Sequence, residues 1–414
     1  MLKVLIIGYV WPEPNSSAAG VRMMELIRLF LEQNWSITYA SPAATGEHME
    51  DLNALGVTER SIAVNESNFD AFVSELKPDI VLFDRFMMEE QFGWRVERAC
   101  PFALRIIESI DLHLLRDARH RLVKKSHQVV KDLGRHDLYS EMAKREIASI
   151  YRSDLTLLIS AYEMKLLMEQ FSLPGDLLHL TPFMLDESHI TASSPCFDER
   201  HHFITIGNFR HAPNWDSVRW LSETIWPMIR KQLPDIELHI YGAYPPKKAA
   251  ALHRPESGFH IAGWAVNALD VVRQARVSLA PLRLGAGIKG KLADAMLAGT
   301  PSVTTSVGAE SMCDGLEWSG IVADDPQKIA TAAVNLYRDR DAWQRAQKNG
   351  YAIIRTLFNR AENGASLIRR IRNCRENIET DRLNNFTGAM LRHHHHRSTE
   401  FMSRWIEAKN REKP

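Results

Sequence analysis

Along nearly the whole chain, short β-branched or Leu-rich runs, several of them apolar at successive positions, alternate with stretches whose apolar residues recur every three or four positions. In the first half the runs are 3–7, 36–40, 80–83, 102–107 and 155–159; in the second they are 202–206, 237–241, 260–262, 276–280 and 302–304. A strand covered on one face alternates apolar and polar residues, so continuous apolar runs require cover on both faces, as in parallel sheets between helices. The intervening helical stretches carry the matching stripe: Trp215, Val218, Leu221, Ile225 and Ile229 fall on one face. The fold class this rhythm dictates is α/β, with doubly wound parallel sheets.

A chain of 414 residues exceeds one ordinary core and divides into domains of roughly 150 to 200 residues each. The polar segment DESHITASSPCFDERHH (186–202) reads as the link. We therefore expect a Rossmann-like domain over 1–190, a second over 191–370, and a polar, helix-prone tail over 371–414 that packs back on the first. Open α/β sheets bind ligands beyond the carboxyl ends of their strands, so the two domains share a central cleft.

Lys plus Arg (51) cancels Asp plus Glu (51), so no global field recruits nucleic acid or an anionic membrane and any anion site is local. Cys100, Cys196, Cys313 and Cys374 are far apart and form no CxxC pair, which fits reduced thiols in a cytoplasmic protein and no cysteine zinc site. The opening MLKVLIIGYVWPEPNSSAAG imitates a signal peptide, but the helical pattern from Gly20 and the run at 36–40 fit strand, helix, strand of a mature domain better. No apolar stretch approaches the ~20 residues of a membrane span, so any membrane contact is peripheral. The run His393–His396 reads as a metal-binding tract or, without carboxylate or Cys partners, as solvated surface. Asp339 and Asp341, the only Asp-x-Asp, lie in a polar connection between helices, and no metal is expected.

The chemistry concentrates in PLRLGAGIKGKLADAMLAG (281–299), a glycine-rich turn running into an amphipathic helix. Such a turn points unpaired N–H groups along the positive end of the helix dipole, a seat for phosphate, and Lys289 and Lys291 add charge there. In FITIGNFRHAPNWDSVRWL (203–221), Gly207 ends a strand and Arg210 follows in the loop. Its guanidinium either forks onto phosphate oxygens or pairs with a surface carboxylate.

These two segments, with VSLAPLRLGAGIKGKLADAMLAGTPSVTTSVGAE (277–310), resemble the donor-binding half of retaining GT-B glycosyltransferases, most closely glycosyltransferase family 4. RIIESIDLHLLRDAR (105–119) and EIASIYRSDLTLLISAYEMKLL (146–167) resemble first-domain blocks of the same family. The resemblance implies a GT-B fold and a nucleotide-diphosphate sugar, of UDP or GDP type, held between the domains. The diphosphate would rest on Gly285, Gly287 and Lys291, with Lys289 beside them and Arg210 as the second cation. The family motif has two glutamates; here the second is Asp294, placed for ribose hydroxyls or else a helix-surface acid, and the first aligns with Ala286. The N–H groups of Ala286 to Ile288 then replace the missing carboxylate toward the sugar. Trp264 stands where the family places the base, or packs in the core. Asp111 and His113, in SIDLH, would hold donor sugar or acceptor, His113 being suited to moving a proton near neutrality. The turn from Pro12 to Gly20 approaches the diphosphate, with Ala19 where a second glycine is common. Arg116, Arg119, Arg121, Lys124 and Lys125 form a basic helix, either a solvated face or a dock for a lipid-linked acceptor.

The activity implied is sugar transfer with retention to a hydroxyl of a sugar, lipid-linked or protein acceptor, in surface polysaccharide or glycolipid assembly, with no cofactor and no nucleic-acid partner. A nucleotide-sugar epimerase and a silent donor-binding subunit share the same phosphate logic.

Overall fold

The computed structural model describes residues 1–130, 133–190 and 194–411. Seven parallel strands form the first sheet: β1 (Lys3–Ile7), β2 (Ser36–Ser41), β3 (Thr58–Ser61), β4 (Ile80–Asp84), β5 (Leu104–Glu108), β6 (Leu155–Leu158) and β7 (Leu178–Leu180), in the order β3-β2-β1-β4-β5-β6-β7. Six more parallel strands form the second: β8 (His201–Ile206), β9 (Leu238–Tyr241), β10 (Phe259–Gly263), β11 (Ala275–Ala280), β12 (Ser302–Thr304) and β13 (Gly320–Val322), ordered β10-β9-β8-β11-β12-β13. The architecture is α/β with two Rossmann-like domains, as the apolar rhythm requires.

β1 shows why its run is continuous. Val4 and Ile6 join a core with Ile80, Leu82, Leu104 and Ile106 on one face of the sheet, while Leu5 and Ile7 join Val81, Phe83 and Ile107 on the other. The three strands without a sequence signal, β3, β7 and β13, are all sheet edges of three or four residues. An edge strand has one neighbour and little cover, so it needs no apolar run; β3 reads Thr-Glu-Arg-Ser.

In each sheet the strand order reverses once, between β1 and β4 and between β8 and β11. Connections leave to opposite sides there and open a crevice. The loops after β1, β4 and β5 face those after β8 and β11 across it.

Of the link at 186–202, residues 191–193 lie outside the described residues; Asp186 caps a 3-10 turn, Glu187–His189. Helices Pro326–Arg338 and Arg340–Leu357 cover the second sheet, Asp339 capping the latter through the Ala342 N–H. The chain then returns to the first domain, where Leu367, Ile368, Ile371 and Cys374 of helix Arg360–Glu376 enter the core around Val4 and Ile6. Arg382 grips Asp154 through two nitrogens. The histidine run forms part of a helical stretch, and His396 contradicts the expectation of carboxylate-free surface: it is buried, with Nδ1 2.5 Å from Glu97. All four cysteines are free thiols, and no described helix is long and apolar enough to cross a membrane.

Candidate active site

The glycine-rich turn follows β11 and enters helix Gly290–Leu297, with Lys289 as its N-cap. Gly287 has φ +64°, and a Cβ there would stand 2.9 Å from Asp111 Cβ and 3.0 Å from the Ile110 carbonyl oxygen. The turn is thus pressed against the loop after β5, which only glycine permits. Ala286 is buried among first-domain residues such as Leu112 and Leu158. Arg119, fully buried, donates to Gly285 O at 2.8 Å and to Glu310 at 2.9 and 2.5 Å. The domains therefore meet at the turn itself.

Glu163 was not singled out in the sequence. It lies in the first turn of helix Ala161–Phe171, and its Oε1 accepts the Gly287 N–H at 2.7 Å and the Leu112 N–H at 3.0 Å, one from each domain. The Gly287 N–H, expected to face the donor sugar, is bonded to this carboxyl instead. Burial, then the charge of Asp111, pushes Glu163 up to about 8, against the two N–H groups and Lys289. A Ser-x-x-Glu start is an ordinary capping signature, so nothing local marks Glu163 as a bridge.

The two lysines have different surroundings. Lys289 is buried and bonds the Gly287 carbonyl oxygen at 2.5 Å; burial lowers it to about 8 despite Glu310 nearby. Lys291 reaches the helix after β8, Ala212–Trp220, donating to Asn214 Oδ1 at 2.8 Å, and burial lowers it to about 8 as well. No carboxylate pairs with Lys291 among the described residues. A Cβ on Gly207 would stand 2.9 Å from Lys291 Nζ and 2.7 Å from Asn214 Nδ2, so the glycine makes room for this contact. Asp294, one turn on, is half-buried and without a hydrogen-bond partner among the described residues, and burial raises it to about 7.

Arg210 has no carboxylate partner among the described residues either. Its guanidinium lies 3.6 Å from the Tyr244 ring centroid, and Tyr244 OH donates to Glu13 of the first domain at 3.0 and 3.1 Å. His211, beside it, stands at the N-cap position of helix Ala212–Trp220. Burial lowers its imidazole to about 4, Asp111 opposing and Arg116 and Lys291 adding to the effect, so it is neutral at pH 7. Trp264 is not a core residue: it is 39% exposed, stacks on His48 at 4.5 Å and donates to Asn15 O at 3.0 Å.

On the opposite wall Asp111 is held by Arg116 at 2.8 and 2.6 Å. Burial would raise its carboxyl, but Arg116 and then His113 outweigh it and hold it near 2. His113 begins helix His113–Ser126; its ring Nδ1 is 3.3 Å from Asp111 O, and Glu146 accepts its N–H at 3.0 Å and that of Leu114 at 2.8 Å. Arg116 and Arg119 thus work inside the cleft, unlike the solvated face expected of their helix, while Arg121 pairs with Asp117 and Lys124 and Lys125 are exposed. Ile110, a β-branched residue, has φ +62°. Strain of this kind persists where surroundings over-determine it, as at functional loops.

The turn after β1 completes the cleft. Gly20 gives its N–H to Ser17 Oγ at 3.1 Å, and a Cβ there would meet the Glu13 backbone at 2.4 Å. A Cβ on Gly290 would stand 2.5 Å from Ala18 Cβ, so the N-termini of helices Ala18–Glu32 and Gly290–Leu297 face one another. Their positive ends sum where Lys291 and the glycine turn already favour an anion.

Two parallel doubly wound domains, facing across their switch points with a glycine turn and helix N-termini in the cleft, define the GT-B class. Residues 200–339, within the second domain, match the family described as Glycosyl transferases group 1. No curated protein matches the chain. Among solved structures it is similar to a sucrose-phosphate synthase from Thermosynechococcus elongatus (TM-score 0.65, 14% identity, 90% of this chain and 99% of that one). TarM of S. aureus is comparable (0.67, 8%, 89% and 99%), as is Alr3699/HepE of Anabaena (0.67, 12%, 90% and 100%). At these identities the likeness is one of fold.

Proposed function

We propose that the protein transfers a sugar, with retention and without a metal, from a UDP- or GDP-sugar to a hydroxyl acceptor in surface polysaccharide or glycolipid assembly. One observation carries the reading: Lys291 and Arg210, cations unmatched by carboxylates among the described residues, flank the switch point of the second sheet, where two helix N-termini converge. A diphosphate supplies the negative charge this arrangement favours. Lys291, Arg210 and the Gly285 turn bind it, Asp294 meets the ribose, and Trp264 borders the base. The Anabaena structure is titled as a complex with UDP-glucose and the S. aureus one as a complex with UDP, which supports the donor class.

In a retaining transfer the acceptor hydroxyl approaches the face from which the phosphate departs. An Asp111 held near 2 by Arg116 is too weak a base to take the hydroxyl proton at neutral pH. The departing phosphate oxygen takes it, while Asp111 and His113 position hydroxyls. Thermal melts with a panel of UDP- and GDP-sugars test the donor: at 100 times Kd a ligand adds ~2.7 kcal/mol, a rise of about 5–10 °C for a domain of this size. Wild type should respond and Arg210→Ala should not. Silence toward every nucleotide sugar removes the proposal, and an epimerised donor formed without acceptor replaces transfer by isomerisation.

A further inference from the structure

The second domain carries a group of histidines that the cleft does not use. It lies at the amino ends of β8, β9 and β10, the end of the sheet opposite the glycine turn. His239 and His260 sit side by side in register on β9 and β10, and Glu237 directly precedes β9. Glu237 Oε2 is 2.8 Å from His239 Nε2, and Glu237 Oε1 is 3.6 Å from His260 Nε2. The three ligand atoms lie within 4.8 Å of one another. His260 Nε2 is buried with no hydrogen-bond partner.

We propose that Glu237, His239 and His260 bind a divalent transition metal of zinc type. In a tetrahedral site with metal–ligand distances of about 2.0–2.2 Å, ligand atoms stand about 3.3–3.5 Å apart. The two measured separations bracket that value, so small side-chain rotations bring the set onto one ion. Two imidazoles with one carboxylate are a borderline-soft donor set, suited to zinc and its first-row neighbours rather than calcium or magnesium. A fourth position falls to water or to His202, whose ring stacks on His239 at 4.1 Å. His253 supplies support: its Nδ1 accepts the Ile261 N–H at 3.1 Å, and its ring packs 5.9 Å from His260. Because β10 is the sheet edge, held only by β9, an ion shared by the two strands pins that edge.

The experiment is equilibrium dialysis of the full chain against Zn2+, with the visible spectrum of the Co2+ form and thermal melts. The other histidine-rich tract, near His393, is the control. We expect one tightly held equivalent, a tetrahedral Co2+ spectrum and a raised Tm. His239→Gln and His260→Gln should each weaken binding at least tenfold, while the pair His393→Gln, His394→Gln leaves it unchanged. Glu237 is 51% exposed and the two histidine side chains are 25% and 26% exposed, so these variants should fold, as circular dichroism would verify. Binding that follows His393 and His394, binding that survives both His239→Gln and His260→Gln, or no retained Zn2+ at all overturns the assignment.

Discussion

Lys291→Met separates the stability of the protein from its proposed chemistry. Burial lowers Lys291 from 10.5 to about 8 in the folded chain. A depressed ammonium is a folding penalty wherever the group is charged in both states: full below about pH 8, fading as pH rises toward 10.5. At 1.36 kcal/mol per pKa unit this shift amounts to about 3 kcal/mol. Methionine has similar length and no charge, so it removes the penalty, but it also removes the 2.8 Å bond to Asn214 Oδ1, worth about 1–2 kcal/mol. The net expectation is a gain of about 1–2 kcal/mol at pH 7, or a few degrees in Tm for a domain of this size. The gain should be lost near pH 10, where the folded amine is neutral, the unfolded one is beginning to titrate, and less than about 1 kcal/mol of the penalty remains. The same variant should lose its thermal response to nucleotide sugars. Paired melts at pH 7 and pH 10, with and without donor, give the readout. A Lys291→Met protein less stable than wild type at pH 7, or equally shifted at both pH values, would refute the claim that burial governs this amine.

Three further expectations concern the cleft and the contact between the domains. Glu163, raised to about 8, favours the folded, closed state most below the ordinary carboxyl range, and that advantage is lost as pH rises through about 8; Glu163→Gln should flatten the slope of stability between pH 5 and 8, and an unchanged slope refutes it. Arg116→Ala frees Asp111 from the partner that holds it near 2, so the acid limb of kcat/KM should move upward, with a loss of tenfold or more in turnover; a pH profile that keeps its shape removes Arg116 from the site. Gly287→Ala adds about 1–2 kcal/mol for a left-handed φ plus a 2.9 Å collision with Asp111 Cβ. It should hold the domains apart, visible as a larger radius of gyration in X-ray scattering, and abolish transfer while the second domain stays folded; an unchanged radius counts against the closed contact.

Much of the fold was legible because burial on both faces writes itself into consecutive positions. Val4 to Ile7 are apolar without a break since each faces a covered side of the sheet. The edges β3, β7 and β13 left no such trace because they bury little. The tail was expected on the first domain, but that its return begins before 371, with Leu367 and Ile368 of helix Arg360–Glu376, had no local mark, since an apolar stripe does not say which sheet covers it. In the cleft, the glycine turn and its entry into a helix were readable from residue type and spacing. Glu163 and His211 were not: each resembles an ordinary residue near a helix start, and each gains its character only from groups far away in sequence.

The amino-acid sequence by itself determined the parallel layered architecture and the glycine-rich turn that runs into a helix, because periodicity and glycine placement act over a few neighbouring residues. Only the tertiary structure decided which cations lack a carboxylate partner among the described residues, that Gly287 N–H is taken by Glu163, and that Asp111 is held ionised while Glu163 is pushed toward protonation. Those properties are sums of Coulomb and desolvation energies over side chains that the fold, not the chain order, makes neighbours.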